Sequence, residues 1–218
     1  MRLAADDLGI VSPPEFHWLP DWTGRQVIVL ASGPSARDVD LGLGRHRAQL
    51  IAVNNSYKLA PWADMLYGCD ARWWKNEKFA RHYNGLRVSQ DRNAPILDPT
   101  IKKIHTVRGS NKMLFDTAGY VGWFGNGGMQ AVNLAAQLGV RKILLVGLDL
   151  TLKNGSHWHG NHSNNLPNPR DHIVDRWRLC MDAMKPLFDE RDIKVINCSF
   201  RSALEAYPKM ELEEALNV

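Results

Sequence analysis

Short apolar runs alternate along the chain with polar segments marked by glycine or proline, a pattern typical of α/β proteins. Several runs are apolar at nearly every position, as in strands of a parallel sheet that are buried on both faces. The predicted strands lie at 27–31, 50–55, 64–70, 86–89, 102–107, 142–149 and 193–198. The predicted helices lie at 71–82, 129–139, 171–189 and 209–216. This order predicts a single doubly wound, mainly parallel Rossmann-like α/β domain.

The chain has 218 residues, enough for one sizeable core. Residues 1–24 are rich in proline and tryptophan, and we expect them to form an arm that packs on the domain. Residues 25–218 would then be a nucleotide-binding α/β domain. Within it, the polar segment 151–169 is longer than most connections, which predicts a mobile loop with a functional role.

The first strong strand runs into Ser32-Gly33-Pro34-Ser35, followed by a stretch compatible with a helix. Gly33 would let the backbone approach a ligand closely, and Ser35 is a candidate N-cap. Because the first turn of a helix presents free N–H groups and a positive dipole end, this turn predicts a phosphate-binding site. A plain strand-to-helix turn without a ligand is the alternative. The spacing matches neither the dinucleotide fingerprint nor a Walker loop.

Polar side chains also end the next two predicted strands. Asn54 and Asn55 follow the second strand, where their amides could read a base or ribose edge. Asn54 could instead cap the turn before Pro61, but we expect at least one of the pair to contact the ligand. Asp70 follows the third strand and could contact a ribose or a metal, or cap the helix that begins after it.

A second unit repeats the pattern of the first. Asn126-Gly127-Gly128 precedes a helix at 129–139 that is rich in small residues, and the next strand ends at Asp149. The unit therefore predicts a second helix N-terminus at the same crevice as the first turn, with Asp149 nearby.

The polar loop after Asp149 contains His157, Trp158, His159 and His162, and His172 begins the following helix. Three histidines in six residues fit a metal site, but no cysteine or carboxylate pair completes it, so we predict none. We expect His157 and His159 to contact phosphate or acceptor, with Trp158 as an apolar wall of the substrate site. His162 and His172 are the candidates for a general base, and the positive end of a helix favours the neutral imidazole that a base needs at position 172.

Composition adds few constraints. The net charge of +4 suits an anionic small substrate but argues against the extensive phosphate footprint of a nucleic-acid binder. Three cysteines without metal or redox spacing, and acidic residues where a signal peptide would be apolar, predict a cytoplasmic protein. No apolar run approaches the roughly 20 residues of a membrane span. The oligomeric state stays open, a homo-oligomer included.

The order of these motifs resembles the bacterial sialyltransferase-like family, which uses a CMP-activated sugar. The counterparts of the family's motifs are Ser32-Gly33-Pro34-Ser35, Asn54-Asn55, Gly127-Gly128 and Gly147-Leu148-Asp149. Ser32 stands where that family has an asparagine. The chain is also similar to the 6-hydroxymethylpterin diphosphokinase-like family, through the Ser-Gly-Pro-Ser turn. Uncharacterised phage-encoded proteins share the Ser-His-Trp-His-Gly segment at 156–160.

The first resemblance implies nucleotide contacts from Ser32, Gly33, Asn54 and the Gly127-Gly128 turn, and a histidine base late in the loop or at the next helix. The leading hypothesis is thus a glycosyltransferase that takes a sugar from a nucleotide donor, passes it to an unidentified acceptor and needs no cofactor. The second resemblance implies pyrophosphoryl transfer from ATP to a small alcohol. That reaction would use Mg²⁺, with Asp70 and Asp149 as candidate ligands. A non-catalytic nucleotide-binding module is the third hypothesis.

Overall fold

The computed structural model describes residues 16–161 and 167–218. Within these ranges one sheet contains β1 (Gln26–Leu30), β2 (Gln49–Val53), β3 (Met65–Tyr67), β4 (Leu86–Ser89), β5 (Lys102–Lys103), β8 (Lys142–Val146) and β9 (Lys194–Asn197). Its seven strands are all parallel and lie in the order β5-β4-β3-β2-β1-β8-β9. A small parallel pair joins β6 (His105–Val107) to β7 (Tyr120–Gly122). The predicted doubly wound, mainly parallel fold is confirmed.

Helices cover both faces of the sheet. They are α1 (Ala71–Asn76), α2 (Ala94–Leu97), α3 (Gly127–Gln137), α4 (Asp171–Asp182), α5 (Lys185–Asp189) and α6 (Leu212–Asn217). Short 3-10 helices at Pro34–Arg37 and Asn54–Lys58 follow β1 and β2. No helix among the described residues is long and apolar enough to cross a membrane.

The central strands explain why the sheet has two cores. Val27 and Val29 of β1 face the core that includes α3, whereas Ile28 and Leu30 face the core that includes α6. All five residues of β8 are buried. Side chains on both faces of these strands are therefore buried on folding, which accounts for the nearly continuous apolar sequence of the strands.

The strand order reverses between β1 and β8. From β1 the chain proceeds outwards through β2, β3, β4 and β5, and it then returns to place β8 on the other side of β1. In open parallel sheets, ligands bind beyond the carboxyl ends of the strands at such a reversal. The fold thus predicts where a ligand site lies before any side chain is considered.

Several predicted elements are shorter or divided. The helix expected at 71–82 ends at Asn76, because Lys78, Phe79 and Ala80 adopt positive φ angles that an α-helix excludes. The strand expected at 102–107 splits into β5 and β6, which belong to different sheets.

The helix expected at 171–189 breaks into α4 and α5. Pro186 lies in the first turn of α5, where its missing N–H is tolerated. In the interior of a continuous helix, the proline ring would instead clash with the carbonyl oxygen four residues earlier, which accounts for the break. The prediction missed α2 and β7, each of only three or four residues.

The described part of the N-terminal arm, residues 16–24, packs on the domain. Phe16 and Trp22 are buried, and the Trp22 N–H donates to the carbonyl oxygen of Leu138 at 2.8 Å. The remainder of the expected arm, residues 1–15, lies outside the described residues.

Candidate functional site

A cavity with a volume of about 670 Å³ opens at the carboxyl edge of the sheet. Its lining comes from the ends of β1, β2, β3 and β8 and from the first turns of α3 and α4. The cavity therefore lies at the strand-order reversal between β1 and β8, and its volume is in the range of small-molecule sites.

The turn after β1 is fastened to the segment after β8. Ser35 is buried, and its N–H donates to the Asp149 carboxylate at 3.0 Å, while its hydroxyl donates to the other carboxylate oxygen. The Gly33 N–H donates to the Gly147 carbonyl oxygen at 2.7 Å. Asp149 thus acts as a brace between the two central loops.

Gly33 is required by this brace. A Cβ at Gly33 would lie 2.6 Å from the Asp149 carboxyl carbon and 2.6 Å from the Gly147 carbonyl oxygen. Its φ of −63° is one that any residue adopts. The space that glycine provides is therefore filled by protein atoms, whereas the sequence interpretation assigned it to a ligand.

These contacts change the role of the first turn. Ser32 and Gly33 line the cavity, but Pro34 and Ser35 do not. The helix expected after Ser35 is a single 3-10 turn with Gly33 at its N-cap position, so Ser35 is not the cap. The N–H groups of Gly33 and Ser35 already donate to protein atoms, and Pro34 has no N–H group. Residues 33–35 therefore have no backbone N–H available for a phosphate.

The N-terminus of α3 meets the cavity with its donors available. The Asn126 side chain caps the helix by accepting from the Met129 N–H at 3.0 Å. The N–H groups of Gly127 and Gly128 lie in the first turn, where no carbonyl four residues earlier is available within the helix. Asn126, Gly127 and Gly128 all line the cavity.

Close packing explains the two glycines. A Cβ at Gly127 would overlap the Cys69 sulfur, and one at Gly128 would lie 2.8 Å from a Leu148 methyl carbon. The helix can therefore press its first turn against the ends of β3 and β8. An anion in the cavity would be close to the positive end of its dipole.

The two asparagines after β2 have different positions. Asn54 lines the cavity, and its side-chain oxygen accepts from the Cys69 N–H at 3.3 Å. Asn55 does not line it, because its side chain accepts from the Trp73 indole N–H at 2.9 Å and holds α1 instead. The nucleotide contact predicted for Asn55 therefore has no geometric support, whereas Asn54 is placed for one.

Asp70 lines the cavity at the end of β3 and occupies the N-cap position of α1. Its side chain makes no capping hydrogen bond, and Asp91 accepts from the Ala71 N–H at 2.9 Å in its place. Asp70 is thus placed for the ligand contact that was one of its two predicted roles.

The histidine loop turns back over the first strand. His157 lines the cavity, and its ring stacks on that of His159 with centroids 5.2 Å apart. Trp158 is not among the lining residues: its N–H donates to the Ser32 carbonyl oxygen and its indole N–H to the Ser56 hydroxyl. Trp158 therefore anchors the loop and does not form the apolar wall that was expected, and His159 is also outside the lining.

The first turn of α4 contributes two residues that face the cavity. Arg170 occupies its N-cap position and His172 its first turn, and both side chains are exposed to solvent. Among the described lining residues, Arg170 is the only lysine or arginine. His162, the other predicted base, lies outside the described residues.

Sequence reasoning missed part of the lining. Trp123, which is 41 % exposed, and Trp177, which also packs against the core, both line the cavity. Arg170 follows directly after the polar segment 151–169, in which only the histidines and Trp158 were considered. Gln90, whose amide nitrogen donates to the Cys69 carbonyl oxygen at 2.9 Å, lacked any motif that could have marked it.

The site combines opposite charges. Asp70 lies near the end of β3 and Arg170 at the start of α4. Burial raises the pKa of Asp149, against the lowering effect of its bonds with Ser35. Within residues 16–161 and 167–218, no group of three His, Cys, Asp or Glu side chains is arranged to hold a metal ion.

The raised pKa of Asp149 gives a testable pH effect. The Asp149 carboxyl holds its proton more tightly in the folded state than in the unfolded state. Protonation of Asp149 therefore stabilises the folded state fully below pH 3.8, the ordinary pKa of the group. This stabilisation is lost as the pH rises through the higher pKa of the folded state. We therefore expect the free energy of unfolding of the wild type, relative to that of Asp149→Asn, to decrease between pH 3.8 and the raised pKa of the folded state. Urea unfolding at a series of pH values measures this difference. A difference that is constant or that grows with pH would contradict it.

No protein-family model and no curated protein matches the sequence. Solved structures are similar in fold. The sialyltransferase CstII from Campylobacter jejuni, in complex with the substrate analogue CMP-3FNeuAc, matches with a TM-score of 0.58 and 16% identity, over 89% of this chain and 88% of that one. The MAf glycosyltransferase from Magnetospirillum magneticum AMB-1 matches with a TM-score of 0.60 and 15% identity, over 87% of this chain but 34% of that one. These comparisons confirm the fold that the sequence resemblance implied.

Proposed function

We propose that the protein is a glycosyltransferase that takes a sugar from a nucleotide donor, with a CMP-activated sugar as the first candidate. The observation that carries this proposal is the cavity at the strand reversal, where the first turns of α3 and α4 face the carboxyl edge of the sheet. Similar folds occur in CstII, whose structure holds a CMP-sugar analogue, and in the MAf glycosyltransferase. None of these similar structures is described as a diphosphokinase, so pyrophosphoryl transfer gains no support.

The donor phosphate is assigned to the Gly127-Gly128 turn and Arg170. Free N–H groups and the helix dipole suit an anion, and the guanidinium adds charge and paired donors. Asn54 and Asp70 are assigned to the hydroxyl and base edges of the nucleoside, because an amide and a carboxylate accept from such groups.

His172 is assigned as the general base. As a solvent-exposed imidazole at the cavity, it could accept the proton of an acceptor hydroxyl while that oxygen attacks the anomeric carbon. The bond from the sugar to the phosphate would break as the new glycosidic bond forms, and the nucleotide would leave with its electron pair. His157, on the neighbouring loop, is assigned to the acceptor or phosphate; His162 stays a second candidate for the base.

Arg170→Gln is expected to weaken binding of CMP, measured by isothermal titration calorimetry, by about tenfold or more, since a charge-assisted contact to phosphate contributes roughly 1.5–3 kcal/mol. Cytidine, which lacks the phosphate, should bind equally to wild type and variant. Arg92→Gln, a change in an exposed arginine outside the cavity lining, is the matched control and should leave both affinities unchanged. Equal loss of cytidine and CMP binding would remove Arg170 from the phosphate site.

A further inference from the structure

A second cavity, with a volume of about 490 Å³, lies at the opposite edge of the sheet. It is formed where β1, β2 and β8 begin, so the full length of the strands separates it from the proposed donor site. Arg25, Arg45, Arg47 and Arg141 all line it. Nothing in the proposed glycosyl transfer uses this edge.

The positive charge here is poorly compensated. Across the described ranges, none of the four arginines forms an ion pair with a carboxylate within 4.0 Å, and Arg25 attracts Asp21 only at longer range. Asp64, the acidic residue in the lining, accepts from the Leu50 N–H at 2.8 Å. Burial lowers the pKa of the neighbouring Lys142, and the charges of Lys194, Arg141 and Arg47 lower it further. Like charges are therefore crowded at this edge.

Two of the arginines are held in place by neutral partners. The Arg45 guanidinium lies over the Trp62 ring, 5.3 Å from its centroid, and Trp62 also lines the cavity. Arg47 donates to the Asn217 side-chain oxygen at 2.6 Å. These contacts restrict the side chains without neutralising them, so less conformational freedom is lost when an anion binds.

We propose that this cavity binds a small molecule carrying a diphosphate group. Several guanidinium forks around one cavity match a polyvalent oxyanion better than a single carboxylate, because each fork can supply paired donors. The volume is that of a small-ligand pocket. The diphosphate could belong to inorganic diphosphate or to a nucleoside diphosphate, whose base could reach Trp62.

The test is calorimetric titration of the full chain with inorganic diphosphate at fixed ionic strength. The Arg45→Gln/Arg141→Gln double variant is expected to bind about tenfold or more weakly, since two charge-assisted contacts are lost. Arg108→Gln, a change in an exposed arginine outside both cavities, should bind as the wild type does. Arg170→Gln should also retain this binding, which separates the site from the proposed donor site.

A nucleoside diphosphate titration identifies the source of the group. If a nucleoside diphosphate binds more tightly than inorganic diphosphate and Trp62→Leu removes this difference, the site is assigned to a nucleotide. If the two bind equally, the site is assigned to the diphosphate group alone. If the double variant were to lose native structure by circular dichroism, each single glutamine variant would replace it and should bind about threefold or more weakly. Wild-type affinity in the folded variants, loss of binding in Arg170→Gln, or binding of a single-stranded oligonucleotide but not diphosphate would overturn the proposal.

Discussion

Gly33→Ala is expected to lower the free energy of unfolding by about 3 kcal/mol, the upper range for overpacking of a well-packed site. An added Cβ would lie 2.6 Å from both the Gly147 carbonyl oxygen and the Asp149 carboxyl carbon. One of these is backbone and the other is held by Ser35, so neither can move without breaking the brace between the central loops. Urea unfolding followed by circular dichroism measures the change.

Gly42→Ala is the matched control for this experiment. Gly42 lies in a short surface 3-10 helix, where an added Cβ would meet the exposed carboxylate of Asp40 at 3.0 Å. We expect a change within about 0.5 kcal/mol, as for most surface substitutions. If Gly33→Ala were as stable as Gly42→Ala and lost only nucleotide affinity, the glycine would serve the ligand and the brace would be wrong.

His172→Ala is expected to lower the rate of sugar transfer by about 100-fold or more, the usual contribution of general-base catalysis. The dissociation constant for the nucleotide should change little, because the base acts on the acceptor hydroxyl and not on the phosphate. The measurement is kcat for release of the nucleotide from a donor that the wild type turns over. Calorimetry then gives the dissociation constant for the nucleotide alone.

His17→Ala is the control, since His17 is exposed and does not line the cavity. It should retain full turnover. Full activity in His172→Ala together with a large loss in His162→Ala would transfer the role of base to His162. Retention of activity in both variants would exclude a general base at either position.

The fold followed from the sequence because the strands that build it are strongly patterned. The residues of β1 and β8 are apolar at nearly every position, and a parallel sheet with two covered faces is the architecture that buries such strands. The elements that were missed, α2 and β7, are too short to show a period. Their formation depends on contacts with distant residues.

The candidate site was predicted in outline, but not the direction of individual side chains. Asn54 and Asn55 are adjacent in sequence, and only tertiary packing decides that one lines the cavity and the other binds Trp73. Gly33 and Ser35 form a motif that reads as a phosphate turn until Asp149, over one hundred residues later, is seen to hold it. Arg170 carried no local signal at all.

The central claim is that the cavity at the strand reversal transfers a sugar from a nucleotide. The most direct measurement is release of free CMP from a CMP-sugar, followed by chromatography in the presence of a chelator. The leading hypothesis predicts release by the wild type, with the chelator leaving its rate unchanged, and a strongly reduced rate in His172→Ala. Release of AMP from ATP only with Mg²⁺, and no turnover of any nucleotide sugar, would contradict the claim and restore pyrophosphoryl transfer.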